Sequence, residues 1–347
     1  MESYGAMEII RYKDIKRNKG AKYLIDHLIP ARDLTVVWGK PKSGKTFWVL
    51  DAAAHIAAGL PYRGRTTMSG PALYCAFEGA FMFPIRMHAA MQGLGLRDKD
   101  IPLFYSPERH TFTKVGGSYG VVKAIKEFMS ELPVLVVLDT LNRSLDGSES
   151  SDEDMTHYTR CAEDISRECD CAVIVVHHCG IAGDRPRGHT SLTGTCASQI
   201  RIERASKVPI SDGQPMMISA TVEFMKDGPE GAVEYSWIKP TTITYEDGDI
   251  EESSYIEPAP TPTEGVNEFY MVGHTKKALS VLQEGVGQTD SGRITMAEWR
   301  TRFELVCKGT KKDTVTKAFY RSYEMLKKEG VVMIDGQWVS LVRSDRS

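Results

Sequence analysis

Gly39-Lys40-Pro41-Lys42-Ser43-Gly44-Lys45-Thr46 is the stretch that decides the fold. It fits the pattern G-x-x-x-x-G-K-[ST], in which a glycine-bounded loop turns its backbone N–H groups toward phosphate oxygens. Its surroundings are those the pattern requires. The apolar run Leu34–Trp38 precedes it as a strand, and Phe47–Ala58 follows as a helix. The start of that helix adds the positive end of its dipole. In this reading Gly39, Lys40, Pro41, Lys42, Ser43 and Gly44 form the cradle. Lys45 reaches the β- and γ-phosphates, and Thr46 offers its hydroxyl to Mg2+. The expected ligands are ATP and Mg2+.

Outward from the loop, short apolar runs alternate with helical segments. Ala72–Phe77, Val134–Leu138 and Ala172–Val176 read as strands, and Phe81–Met91, Tyr119–Glu131 and Asp152–Glu168 as helices. This alternation predicts an α/β domain with a mainly parallel sheet. The unbroken apolar runs at 134–138 and 172–176 suit strands buried on both faces. Residues 1–30 form a lead-in, residues 31–243 this α/β domain, and residues 244–269 an acidic, proline-rich linker. Residues 270–347 make a small α+β domain. A helix begins near Lys276, a second is capped by Thr295 with Glu298, and a third runs from Lys312 to Lys328, ended by Gly330. Val331–Ile334, Asp335-Gly336 and Trp338–Leu341 then read as a hairpin. Three helices followed by a hairpin is the order of a winged helix.

Composition narrows the class. Of 347 residues, 41% are hydrophobic and 26% charged, which describes a folded protein rather than a disordered or fibrous one. No apolar run approaches the ~20 residues that span a bilayer. The N-terminus lacks a signal-peptide layout, so a cytoplasmic protein without membrane contact is expected. Seven cysteines without a framework spacing read as reduced thiols. From Lys276 to Arg346, 14 Lys/Arg stand against 9 Asp/Glu, so the net charge of −3 hides a basic tail on an acidic body. A basic tail hints at a polyanionic partner.

Three side chains at strand ends complete the candidate chemistry. Asp139, closing Leu135-Val136-Val137-Leu138, is expected on a strand beside that of the phosphate loop, as an outer ligand for Mg2+. Thr140 rather than a glutamate follows it, so the base that activates water is sought elsewhere. Glu78, just past Ala72–Phe77, is the candidate. His178 ends the run Ala172–Val176 with His177 and is placed to feel the γ-phosphate. Neighbours on an extended chain point oppositely, which speaks against His177 and His178 sharing a metal.

Together the phosphate loop, Glu78, Asp139 and His177-His178 resemble the RecA-like ATPase core. Within it the chain looks most like the plasmid and phage RepA-type hexameric replicative helicases. The runs Leu28-Ile29-Pro30-Ala31-Arg32-Asp33-Leu34 and Arg187-Gly188-His189-Thr190-Ser191-Leu192-Thr193-Gly194 carry the likeness too. It covers about residues 20–240.

The resemblance implies a homo-oligomeric ring acting on single-stranded DNA, with a neighbour's cation completing each site. Lys226 matches the arginine position of a Lys-x-Arg-x-Gly turn, whose outer lysine is Phe224 here; Arg201 and Arg204 are rivals. The loop Gly180–Gly194, with Arg185, Arg187 and His189, is expected to face nucleic acid, though it has no aromatic to stack bases. In the tail, Lys311, Lys312, Lys317, Arg321, Lys327 and Lys328 would serve duplex phosphates, unless that domain docks a protein. Besides a helicase, a DNA-pairing recombination filament or a regulatory ATPase switch fits these features.

Overall fold

The computed structural model describes residues 9–15, 22–97, 99–178, 194–205, 215–261, 274–307, 312–328 and 331–342. The lead-in forms a small hairpin, β1 (Tyr23–Ile25) with β2 (Ile29–Pro30). Then follow β3 (Leu34–Gly39), α1 (Lys45–Ala58), β4 (Ala72–Ala76), a 3-10 turn (Ala80–Met82), α2 (Phe83–Gly93) and β5 (Leu103–Ser106). Next come α3 (Tyr119–Phe128), β6 (Leu135–Asp139), α4 (Leu141–Ser144), α5 (Asp152–Cys169) and β7 (Ala172–His178). The sheet is completed by β8 (Ser198–Arg204), β9 (Met216–Met225), β10 (Val233–Thr244) and β11 (Ile250–Ala259).

The sheet has nine strands in the order β11-β10-β9-β8-β3-β7-β6-β4-β5. Pairing is parallel from β8 through β5. The α/β class with a mainly parallel central sheet is thus the observed one. Every residue of β3 and β6 is buried, because helices cover both faces of a parallel sheet. One core layer joins Val36, Trp38, Val136, Leu138, Val173 and Val175 to Tyr158, Ile165 and Met155 of α5 and Val122 and Ile125 of α3. Each such aliphatic side chain contributes about 1.5–3 kcal/mol by leaving water. The described cysteines are buried free thiols.

Two expectations need correction. The Asp139 strand is not beside the phosphate-loop strand, because β7 lies between β3 and β6. Both β6 and β7 are apolar and buried, so their patterns carry no mark of which one neighbours β3. Also, the stretch expected to be a linker carries β11. Ser254 and Ile256 are buried there and their neighbours are not, the alternation of a half-buried strand. Glu251 and Glu257 fall on the other face, and Glu252 lies at the exposed start of the strand. Strands β5 and β9 to β11 lie outside the predicted strand set, and the short connections from β9 through β11 are those of antiparallel neighbours.

The chain divides into two compact units, residues 1–203, 220–233 and 241–256, and residues 204–219, 234–240 and 257–347. Within the second, α6 (His274–Gly287), β12 (Ile294–Thr295), α7 (Met296–Val306) and α8 (Lys312–Lys328) precede β13 (Val332–Asp335) and β14 (Trp338–Leu341). Its sheet runs β12-β14-β13, antiparallel throughout. Thr295 caps α7 by accepting from the Glu298 N–H, as the Thr-x-x-Glu spacing predicts. Trp299, Phe303 and Phe319 fill the core of this part, with Trp299 Nε1 donating to the Ala278 carbonyl at 2.7 Å. Among the described residues no helix is long and apolar enough to cross a membrane.

Candidate functional site

The carboxyl ends of β3, β4, β6 and β7 meet at one edge of the sheet. Gly39 is level with His178, and Ala76 with Asp139. Crevices outside strand carboxyl ends are where α/β sheets bind ligands. The phosphate loop occupies this edge. Gly44 sits at a φ of 98° as the N-cap of α1, a conformation open to glycine without cost. A Cβ on Gly39 would run into the backbone oxygen of Ile202. Both glycines of the motif are therefore required by the backbone path.

The cradle suits an anion. Lys45 is buried, its Nζ donating to the Gly39 and Lys40 carbonyls at 3.0 Å each. The Ser43 hydroxyl is buried with no hydrogen-bond partner among the described residues. Such an orphan is costly unless something else satisfies it, and a phosphate oxygen would. Lys40 and Lys42 are exposed on the loop.

Asp139 lies 3% exposed at the tip of β6. Its Oδ2 accepts from Thr46 Oγ1 at 2.9 Å and from the Tyr74 hydroxyl at 2.6 Å. Burial pushes the Asp139 carboxyl above its ordinary range, against the pull of the Tyr74 and Thr46 hydrogen bonds and the Lys45 ammonium. A buried carboxylate beside a threonine hydroxyl is a hard-oxygen pair of the kind that suits Mg2+ with its waters. The residues present therefore fit that ion.

Glu78 stands across the crevice. Its Oε2 accepts from Thr140 Oγ1 at 3.1 Å and lies 3.7 Å from His178 Nε2. His178 Nδ1 is 3.3 Å from Lys45 Nζ. Lys45, a donor only, assigns Nδ1 as the acceptor, so the ring proton belongs on Nε2, facing Glu78. Burial, then the Lys45 charge, pushes the His178 imidazole below its ordinary value of 6.5. A neutral ring thus bridges the loop lysine and the glutamate. His177 turns the other way and is fully buried.

Other predicted residues are dispersed. Arg201 Nε pairs with Glu223 at 3.0 Å and its Nη2 with Glu203 at 3.4 Å. Glu223 also accepts from Trp38 Nε1 at 2.8 Å and Gln199 Nε2 at 3.0 Å. Arg201 is thus engaged within its own sheet. Lys226 is exposed on the turn after β9, its backbone N–H bonded to the Ala197 carbonyl at 2.9 Å. In the second unit Lys317, Arg321 and Lys327 are exposed on α8 together with Tyr320. Arg185, Arg187 and His189, and the rest of the loop 179–193, lie outside the described residues, as do Lys311 and the Lys312 side chain.

Tyr74, Thr140 and Arg86 are absent from the sequence-based set. Arg86 lies over the Phe47 ring at 5.6 Å, next to Thr46 in the chain. The signal for Tyr74 was available, since a tyrosine inside a buried apolar strand needs a partner for its hydroxyl. Naming that partner required the strand order.

The AAA domain family matches residues 11–184, the stretch that holds the phosphate loop and the strand ends around it. No curated protein matches the chain. Among solved structures the chain is similar to the RadB recombinase, with 20% identity and a TM-score of 0.42 over 60% of this chain and 88% of that one. It is also similar to a second solved structure, described as an ATPase domain, with 14% identity and a TM-score of 0.44 over 60% of this chain and 81% of that one. With its phosphate loop and strand-end carboxylates inside a match over half its length, the chain belongs to the AAA domain family.

Proposed function

We infer that the protein is a Mg2+-dependent ATPase whose cycle drives work on single-stranded DNA, as a replicative-type helicase of the plasmid and phage kind. The observation that carries the ATPase part is the hydrogen bond from Thr46 to Asp139 at 2.9 Å, with Glu78 held by Thr140 across the same crevice. Gly39 to Thr46 bind the triphosphate, and Thr46 and Asp139 hold the cation. Held there, Mg2+ would supply positive charge to offset the negative charge that develops on the phosphates. Glu78 orients a water toward the γ-phosphate and takes its proton. His178, between Lys45 and Glu78, senses whether that phosphate is present.

His178 ends β7 directly before the loop that carries Arg185, Arg187 and His189. A change at the phosphate would pass along that strand to the cations, which suits phosphate contacts with a strand of DNA. In a ring, exposed Lys226 supplies charge to a neighbour's site, and Arg201 does so only after leaving Glu223. Mixing Lys226→Ala subunits with Lys45→Ala subunits tests this, and activity unaltered in mixed rings removes a role in trans. In the second unit, the order of helices and hairpin supports a winged-helix reading. Lys317 and Arg321, with Lys312, would then contact duplex DNA, or the same face would dock a protein.

The test is the hydrolysis rate with and without single-stranded DNA. Stimulation is expected, and an unchanged rate removes the motor. In that event a regulatory ATPase switch takes its place. One observation favours the switch: the segment after Asp139 is acidic, with Glu153 and Asp154 gathered on Lys114 at 2.8 and 3.6 Å. A recombination filament differs from the ring in particle shape, read directly by electron microscopy with ATP.

A further inference from the structure

The Asp139 carboxylate is gripped by a residue that no phosphate-loop motif contains. Tyr74 lies in β4, in register with Val137, and reaches along the sheet to the tip of β6. Its hydroxyl meets Asp139 Oδ2 at 2.6 Å, the same oxygen that accepts from Thr46. The ring is fully buried. Phe83 packs on it with centroids 4.4 Å apart, and Tyr105, in register with Tyr74 on the neighbouring strand β5, lies 5.9 Å from Phe83. A phenylalanine would fill the same space without bringing a polar atom into the core. The hydroxyl is compensated through Asp139, by a short bond of the strong, charge-assisted kind.

A carboxylate has a broad terminal torsion, so a single donor leaves its plane loosely defined. Thr46 is also the residue whose oxygen faces the cation, and its proton alone would make the carboxylate follow every movement of the loop. Tyr74 is anchored in the sheet instead. We propose that Tyr74 is the positioning residue for the divalent cation, fixing the Asp139 carboxylate so that its remaining lone pairs face the ion beside Thr46. This rests on reading the cradle as a Mg-nucleotide site. Partners that orient a metal-binding carboxylate typically change metal affinity by about 10–100-fold when removed.

The test is Tyr74→Phe, with a fluorescent ATP analogue titrated in EDTA and at rising Mg2+. The half-saturating Mg2+ concentration is expected to rise by about 10-fold or more, while affinity in EDTA stays within about twofold of wild type and the melting temperature is retained. A half-saturating Mg2+ concentration equal to that of wild type overturns the proposal. So does a loss of affinity in EDTA that matches the loss in Mg2+, since that marks a general loosening of the site. Phe83→Leu provides a second readout: the hydroxyl stays but its packing is trimmed, and a smaller shift in the same direction is expected, no shift counting against the proposal. Failure of the wild-type protein to bind the analogue with Mg2+ is a different result and overturns the nucleotide-site reading beneath.

Discussion

The Thr140 hydroxyl donates a hydrogen bond of 3.1 Å to Glu78 Oε2, so the residue after Asp139 holds the carboxylate at the end of the neighbouring strand. The backbone reinforces this, the Glu78 N–H donating to the Asp139 carbonyl at 3.2 Å. The candidate base is therefore coupled to the candidate cation ligand by two links that do not involve nucleotide.

Thr140→Val removes one of these links while keeping the side-chain shape. A hydrogen bond to a charged group contributes about 1.5–3 kcal/mol, which corresponds to roughly 10- to 100-fold in rate if it acts in the transition state. Turnover is expected to fall by about the lower figure with nucleotide affinity unchanged, and Thr140→Ser should restore it. Full turnover in the valine variant would show that Glu78 needs no such support.

Lys45→Ala and Glu78→Gln should separate binding from chemistry. The first is expected to abolish hydrolysis by removing the cation at the β- and γ-phosphates. The second should leave nucleotide affinity intact and slow turnover by ~10^2–10^4, the range for a general base. Single-turnover measurement with radiolabelled ATP reads both, and normal turnover in Glu78→Gln moves the base elsewhere.

His178 predicts a pH effect of defined sign. Burial and Lys45 place its folded value below 6.5, so on acidification the unfolded chain takes up its proton first. The associated stability is complete above about pH 6.5, the ordinary value, and is lost as pH falls through the lower folded value. In His178→Gln, melting temperature should therefore drop less than in wild type between neutral and mildly acidic pH. Parallel profiles for the two proteins would contradict this.

Behind the phosphate loop, Asp51 and Arg63 pair at 2.9 Å with side chains only 6% and 9% exposed. His55 adds a third partner at 3.4 Å. Breaking a buried pair from one side costs about 3–5 kcal/mol, whereas replacing both members costs much less. Arg63→Met is expected to lose stability on that scale in urea unfolding, and adding Asp51→Leu to recover part of it. Equal stability of Arg63→Met and wild type would mean that solvent reaches the pair.

What the amino-acid sequence determined by itself is the part built from adjacent residues. The cradle from Gly39 to Thr46, the helix it opens and the Thr295–Glu298 cap are local, because neighbouring backbone conformations and short side-chain reaches define them. Strand ends were legible for the same reason: Glu78, Asp139 and His178 each close an apolar run, and all three face one crevice. The tertiary structure alone decided the order of strands, since β6 and β7 are equally apolar and only packing across the sheet puts β7 next to β3. From that order follow the contacts no motif contains, Tyr74 on Asp139, Thr140 on Glu78, and Glu223 joining Trp38 to Arg201. Strand β11 was likewise hidden, because Glu251 and Glu257 fall on the face opposite Ser254 and Ile256, which take the buried one. Composition averages the two faces, whereas the sheet separates them.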